Sequence, residues 1–225
     1  RDYGVTPGYR NSDARWAEQR RRIDNGEGDR TVIIGSSRVL FDVQLPVWER
    51  LAGDRPIQLA LEGSSPVAFL EDLADDPDFT GRLLVGVTPG LFFTGFAYRI
   101  DALKHYRSAT PAQRAGHRLS TWLLEPWLAF YDEDFALFTV LKRQAWPTRP
   151  GVPVRESVRK LSISDADRNT RMWDKVENDS EYQAMAKRIW SQVFTPLPPE
   201  AIPKAEQTRD EHIAKAVAAV RKLRA

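Results

Sequence analysis

The sequence predicts an α/β fold built on a parallel sheet. Three short apolar runs, at 31–35, 57–61 and 83–87, begin about 26 residues apart. The runs are rich in β-branched and aliphatic residues, which is typical of strands covered on both faces. A helical pattern separates each run from the next. This βαβαβ order is that of a parallel sheet.

The helices that precede these strands have recognisable starts. Residues 12–24 carry apolar residues at helical spacing after Ser12, a typical N-cap residue. Residues 43–52 form a second helix, with apolar residues three positions apart. A third helix begins at Pro66, because proline favours the first helical position, and it runs to about residue 73. We therefore expect one helix before each strand.

The crossovers predict the order of the strands. Connections between parallel strands are right-handed and place the strands in one sheet. The flavodoxin-like order begins 2-1-3, so we expect a three-layer α/β/α arrangement with strand 1 in the middle. Strands 4 and 5 of that order are not found, and the chain starts at Arg1 without methionine and ends at Ala225 within a helical pattern. We therefore expect a fragment with an incomplete sheet, whose strand 3 has an unpaired edge unless the following region covers it.

The strand rhythm stops after residue 90. Residues 91–200 combine helix-like segments, many aromatic side chains and proline breaks, and we interpret them as a helical insertion or cap. Residues 201–225 carry an apolar stripe at helical spacing, which predicts a helix that returns to the α/β domain. The expected organisation is the first half of an α/β domain over 1–90, then the insertion, then the final helix.

The composition argues against several classes of function. Lys and Arg number 33 against 31 Asp and Glu, a formal charge of +2, so no basic field for nucleic acid is indicated. There is no cysteine and there are three dispersed histidines, so we expect no metal site. No cofactor motif is found. No apolar stretch reaches the roughly 18 residues needed to span a bilayer.

The candidate reactive group lies in the turn after strand 1, which reads Gly35-Ser36-Ser37-Arg38. In a parallel sheet the carboxyl end of a strand faces the ligand crevice, where backbone N–H groups of neighbouring loops converge. A serine at that place can act as a nucleophile and the N–H groups as oxyanion donors. The alternative is that both hydroxyls satisfy backbone groups of the loop.

The stretch 31–41, TVIIGSSRVLF, resembles block I of the SGNH (GDSL-type) hydrolase superfamily. In this resemblance Ser37 matches the nucleophile. Ser36 stands in place of the usual Asp, as in membrane-anchored cell-envelope members that carry Gly-Ser-Ser. Gly63 is similar to the block II glycine, whose N–H belongs to the oxyanion hole. The resemblance covers about residues 30–90 and implies a serine esterase or acyltransferase that needs no cofactor.

The rest of the family pattern is altered. Thr88 follows strand 3 where the family has Asn, so a hydroxyl replaces an oxyanion donor whose loss typically lowers the rate about 10²- to 10³-fold. Of the family's Asp-x-x-His only Asp210 and His212 remain, two residues apart on a helix, where they point in different directions. His212 is therefore a weak candidate for the general base. His105 and His117 lie in the insertion without an obvious acidic partner.

Two functions remain open. The first is an SGNH-like hydrolase or acyltransferase that acts on acyl esters through Ser37, with a His/Asp pair supplied beyond Ala225 and low activity without it. The second is a non-catalytic SGNH-like module that binds glycans or serves as a scaffold, favoured by the missing Asn and by Pro89. In either case the resemblance implies a periplasmic or other extracytoplasmic location with a membrane anchor outside the given chain. The oligomeric state stays open.

Overall fold

A computed structural model describes residues 7–132, 134–142, 150, 160–191 and 202–224. Its first part alternates helices and strands: α1 (Asp13–Arg22), β1 (Val32–Ile34), α2 (Ser37–Asp42), α3 (Leu45–Ala52), β2 (Ile57–Gln58), α4 (Val67–Ala74) and β3 (Leu83–Val85). The second part contains α5 (Pro89–Phe92), α6 (Asp101–Ser108), α7 (Pro111–Leu123), α8 (Leu137–Lys142), β4 (Ser162–Ser164), β5 (Thr170–Met172), α9 (Asp174–Asn178), α10 (Ser180–Ser191) and α11 (Ile202–Leu223). Within these ranges no helix is long and apolar enough to cross a membrane.

The parallel sheet has the order β2-β1-β3, which confirms the predicted order 2-1-3. Both pairs are parallel, and Val32 lies opposite Ile57 on one side and Leu83 on the other. The strands are two or three residues long, shorter than the five-residue runs from which they were predicted. Among the described residues no strand pairs with the outer edge of β3, and Leu84 is 37% exposed there.

The main core lies on one face of this sheet. Val32 and Ile34 point to it, and α1, α4, α6 and α11 cover it with Trp16, Phe69, Leu103 and Ala219 among other buried side chains. Trp16 is held in place by its indole N–H, which donates to the Leu59 carbonyl at 2.9 Å. The final helix, α11, packs against α4. Burial of this apolar face supplies the main stabilisation of the fold.

A two-stranded antiparallel hairpin, β4-β5, lies within the region that the sequence predicts as a helical insertion. The sequence does not predict this hairpin, because strands of three residues are too short to establish an alternating pattern. The hairpin contacts the first half of the chain. Asn169 Oδ1 accepts from the Leu45 N–H at 2.8 Å, and Gln44 Nε2 donates to the Thr170 carbonyl at 2.9 Å. These bonds fix the junction between α2 and α3.

The hairpin also covers the outer edge of β2. The N–H groups of Ile57 and Leu59 donate to β1, so the backbone groups of residues 58 and 60 face outward. Arg168 Nη1 donates to the Gln58 carbonyl and Nη2 to the Ala60 carbonyl, each at 2.8 Å. A guanidinium group thereby takes the place that a neighbouring strand would occupy.

Arg168 is fully buried and is satisfied by neutral oxygens. Besides the two carbonyls, Asn11 Oδ1 accepts from its Nη2 at 3.1 Å and from its Nε at 3.2 Å. Burial lowers the pKa of Arg168 to about 9, which leaves the guanidinium charged at neutral pH. Its backbone has a φ of 66°, in the left-handed region that non-glycine residues rarely adopt. The hydrogen bonds of the side chain offset this strain.

We expect Arg168→Met to lower the free energy of unfolding by about 3–5 kcal/mol, because it leaves two buried carbonyls without donors. Urea denaturation followed by circular dichroism measures this change. Arg171→Met is the matched control, since Arg171 lies on the same hairpin but is exposed and pairs with Asp174. Its effect should stay below about 1 kcal/mol. Equal effects of the two substitutions would contradict the role assigned to Arg168.

Candidate functional site

Three predicted site residues follow the three parallel strands. Ser37 comes after β1, Gly63 after β2 and Thr88 after β3. Because parallel strands end at the same edge of their sheet, the three loops share the carboxyl edge. The structure therefore places the sequence-predicted nucleophile and both predicted oxyanion donors on one side of the molecule.

Two glycines allow the loops after β1 and β3 to approach each other. Gly35 has a φ of 153°, and a Cβ atom there would lie 3.0 Å from the Gly86 carbonyl oxygen. A Cβ atom on Gly86 would overlap the Val39 side chain at 1.7 Å. No larger residue fits at either position without movement of the backbone or of α2. The close approach holds the start of α2 against the end of β3.

The two serines of this turn have different environments. Ser36 is buried, and its hydroxyl lies 2.5 Å from the Thr88 hydroxyl, with which it forms a hydrogen bond. Ser37 is the first residue of α2 and is half-buried. Its hydroxyl has no hydrogen-bond partner among the described residues. Ser36 therefore ties the first loop to the third, whereas Ser37 keeps a hydroxyl available for chemistry.

Gly63 has the geometry of a tight turn. Its φ is 62°, and its carbonyl accepts from the Tyr98 N–H at 3.2 Å. The next residue, Ser64, is buried and accepts from the Arg99 N–H at 2.9 Å. Neither the Gly63 N–H nor the Ser37 N–H donates to another group in the described part of the chain. Both amides are thus free to bind an anionic oxygen.

His212 lies on α11 and packs on the segment that follows β3. Its ring contacts Gly95 so closely that a Cβ atom there would lie 1.8 Å from Cε1. The Nδ1 atom is buried and has no partner among the described residues. Asp210 does not orient this ring, because its carboxylate accepts from Arg209 at 2.9 Å. The role of His212 as a general base stays a prediction.

The two other histidines line a separate pocket between α1, α6 and α7. His117 Nε2 lies 3.3 Å from Glu18 Oε2, so this histidine has an acidic neighbour that the sequence did not reveal. The His117 contact, together with the nearby Arg15 and Arg118 charges, holds the pKa of Glu18 below its usual value. His105 lines the same pocket. Neither histidine belongs to the edge of the sheet that carries Ser37.

A polar cavity of about 160 Å³ lies beside the loop after β2. Arg99 lines this cavity and donates to Glu62, in the loop after β2, at 2.7 Å. It also donates to Asp13 of α1 at 2.8 Å. Lys160, which forms an ion pair with Asp132, also lines this cavity. These residues come from distant segments, so no local sequence pattern could predict the cavity. Their hydrogen-bonding groups suit a polyhydroxylated ligand.

The described ranges contain no group of three His, Asp or Glu side chains that converge as a metal site requires. Comparisons with known protein families, with curated proteins and with solved structures found no match. The resemblance to the SGNH superfamily therefore depends on the residues of this chain alone.

We expect Ser36→Ala and Ser37→Ala to differ in their effect on stability. Ser36→Ala removes a buried hydrogen bond and should lower the free energy of unfolding by about 1 kcal/mol or more. Ser37→Ala removes a hydroxyl without a partner and should change it by less than about 0.5 kcal/mol. Thermal and urea denaturation of the two variants measure this difference. A larger loss for Ser37→Ala would mean that its hydroxyl has a structural role.

Proposed function

We propose that the chain is an SGNH-like acyl-ester hydrolase or acyltransferase domain whose nucleophile is Ser37. The observation that carries this proposal is the contrast within the Ser36-Ser37 pair, since Ser36 is bonded to Thr88 while the Ser37 hydroxyl has no partner among the described residues. The parallel order β2-β1-β3 supports it, because it puts Ser37 after the central strand. A three-layer flavodoxin-like arrangement is part of the proposal. So is a membrane-anchored, extracytoplasmic location, which comes from the resemblance alone.

The reaction that this site favours is acyl transfer through a covalent intermediate. Ser37 Oγ attacks the ester carbonyl, its proton passes to a general base, and the carbonyl oxygen becomes an oxyanion. The N–H groups of Gly63 and Ser37 donate to that oxyanion, with Thr88 as the third candidate donor. The C–O bond to the alcohol then breaks and the alcohol leaves with a proton from the base. Water or an acceptor hydroxyl finally takes the acyl group from Ser37.

The general base is the group that limits this site. His212 is the candidate within the chain, but its ring has no carboxylate partner among the described residues. General-base assistance typically contributes about 10²- to 10⁴-fold to such reactions. We therefore propose that the chain by itself turns over esters slowly, and that an efficient base comes from a segment outside residues 1–225.

A second function, glycan binding without catalysis, is favoured by the polar cavity beside the β2 loop. In that case Thr88 serves only to hold Ser36, and Ser37 is a surface residue of the loop. Saturable binding of an oligosaccharide by both the unaltered chain and Ser37→Ala, without acylation of either, would favour this alternative.

The test of the first function is acetylation by p-nitrophenyl acetate, mapped by mass spectrometry of the peptides. We expect slow acetylation at Ser37 that added imidazole, a substitute base, accelerates by at least about tenfold. Ser37→Ala should abolish the modification, whereas Ser36→Ala should retain it. If His212 acts as the base, His212→Gln should slow the reaction about 10²-fold and imidazole should restore it. Acetylation that is confined to lysines, or unchanged by Ser37→Ala, would refute the proposal.

A further inference from the structure

α7 has its apolar side toward solvent. It is a helix of thirteen residues, capped at Thr110 by a reciprocal pair of hydrogen bonds with Gln113, and none of its residues is buried. Leu119, Trp122 and Leu123 are all exposed, and Trp122 is 75% exposed. Residues at i, i+3 and i+4 share one side of a helix, so these three form a continuous surface, here called the apolar face.

The side of α7 that contacts the protein is polar. Thr121 Oγ1 accepts from Arg15 Nη2 at 2.8 Å, and His117 lies next to Glu18 of α1. Just after the helix, buried Glu125 pairs with buried Arg15 at 2.8 Å. The usual orientation of a surface helix is therefore inverted. An inverted amphipathic helix indicates that its apolar side meets a second apolar phase or partner.

Aromatic exposure continues beyond the helix. Trp127 is 73% exposed and Phe130 65% exposed. Tryptophan and phenylalanine next to leucine are the residues with which interfacial helices enter the boundary between lipid headgroups and acyl chains. Trp in particular is enriched at that depth, because its ring is apolar and its indole N–H is polar.

The same helix carries positive charge beside the apolar face. Arg114 and Arg118 are exposed, lie one turn apart and line the pocket between α1, α6 and α7. Arg21 of α1 lines the same pocket and donates to the Tyr106 carbonyl, and Glu18 is the carboxylate among the described lining residues. Burial is the main cause that lowers the pKa of Arg21, and the nearby Arg114 charge lowers it further, while Tyr106 and Asp24 act in the opposite direction. Three guanidinium groups around one opening suit a phosphate group.

We propose that α7 docks this protein on the surface of an anionic phospholipid bilayer. The apolar face enters the interface, while Arg114, Arg118 and Arg21 bind headgroup phosphates at its edge. A second copy of the chain fits less well, because it would present the same positive charges, Arg114 and Arg118, beside the same apolar face, whereas an anionic headgroup complements them. The proposal does not depend on any role of Ser37.

The test is flotation with unilamellar vesicles of phosphatidylcholine and phosphatidylglycerol at a ratio of about 2:1, against phosphatidylcholine alone. We expect binding to the mixed vesicles that falls with added salt. Trp122→Ser should weaken the partition coefficient by about tenfold or more, since it removes a large apolar side chain from the interface. Arg114→Gln and Arg118→Gln should each weaken it about fivefold on the mixed vesicles only.

Leu51→Ser is the matched control, because Leu51 is an equally exposed apolar residue on α3. It should bind like the unaltered chain, and circular dichroism should show that all variants are folded. Equal binding to vesicles with and without phosphatidylglycerol would overturn the proposal. So would a partition coefficient that Trp122→Ser leaves unchanged. A dimer in analytical ultracentrifugation that Trp122→Ser dissociates, without vesicle binding, would assign the apolar face to a second copy instead.

Discussion

The attachment of the β4-β5 hairpin to the parallel sheet depends on the buried guanidinium of Arg168. Arg168 donates to the carbonyls of Gln58 and Ala60 and so takes the place of a strand beside β2. The carbonyls of an uncovered edge strand would need water or another chain. Because the Arg168 side chain donates to these carbonyls, it attaches the β4-β5 hairpin to a sheet that comes from a distant part of the sequence.

The same hairpin also fixes the junction between α2 and α3 through Gln44 and Asn169. Since α2 begins at Ser37, the position of the candidate nucleophile depends on this attachment.

The candidate site combines fixed and free groups. The Ser36–Thr88 hydrogen bond and the contact between Gly35 and Gly86 hold the loops after β1 and β3 together. Ser37 Oγ and the N–H groups of Ser37 and Gly63 have no hydrogen-bond partner in the part of the chain that the structure describes. A preorganised acyl-transfer site requires a rigid loop in which the nucleophile and the oxyanion donors are not bonded to other groups. The oriented acid–base pair, in contrast, is lacking around His212 in the described residues.

The sequence predicted the features that depend on local patterns. The runs at 31–35, 57–61 and 83–87 predicted three parallel strands and their order, because buried parallel strands are apolar throughout and crossovers are right-handed. Ser12 predicted the start of α1, and its side chain does accept from the Arg15 N–H. The sequence could not predict the β4-β5 hairpin, whose strands are too short to establish a period. Nor could it predict that Arg168 would be buried, since a single arginine in a polar segment looks like a surface residue.

The same limit applies to the candidate site and to α7. Gly35-Ser36-Ser37 indicated where a nucleophile could lie, but only the structure separates a committed hydroxyl from a free one. The polar cavity and the three-arginine pocket gather residues from distant segments, and no spacing rule connects such residues. The pattern of 91–200 predicted a helical insertion or cap, but it did not show that α7 presents its leucines and tryptophan to solvent. Orientation of a helix against its domain is a property of tertiary contacts such as Arg15–Glu125, not of its own periodicity.

A crystal structure of the chain after reaction with an alkyl fluorophosphonate would test most directly whether Ser37 is the nucleophile. Such a reagent transfers its phosphonyl group to a serine hydroxyl as fluoride leaves, and added imidazole can accept the serine proton in place of an efficient base. The phosphonyl oxygen then occupies the position of the oxyanion. We expect a covalent bond from phosphorus to Ser37 Oγ, with the phosphonyl oxygen about 3 Å from the Gly63 and Ser37 nitrogens. A phosphonyl group on another residue, or an oxygen that points away from both amides, would contradict it.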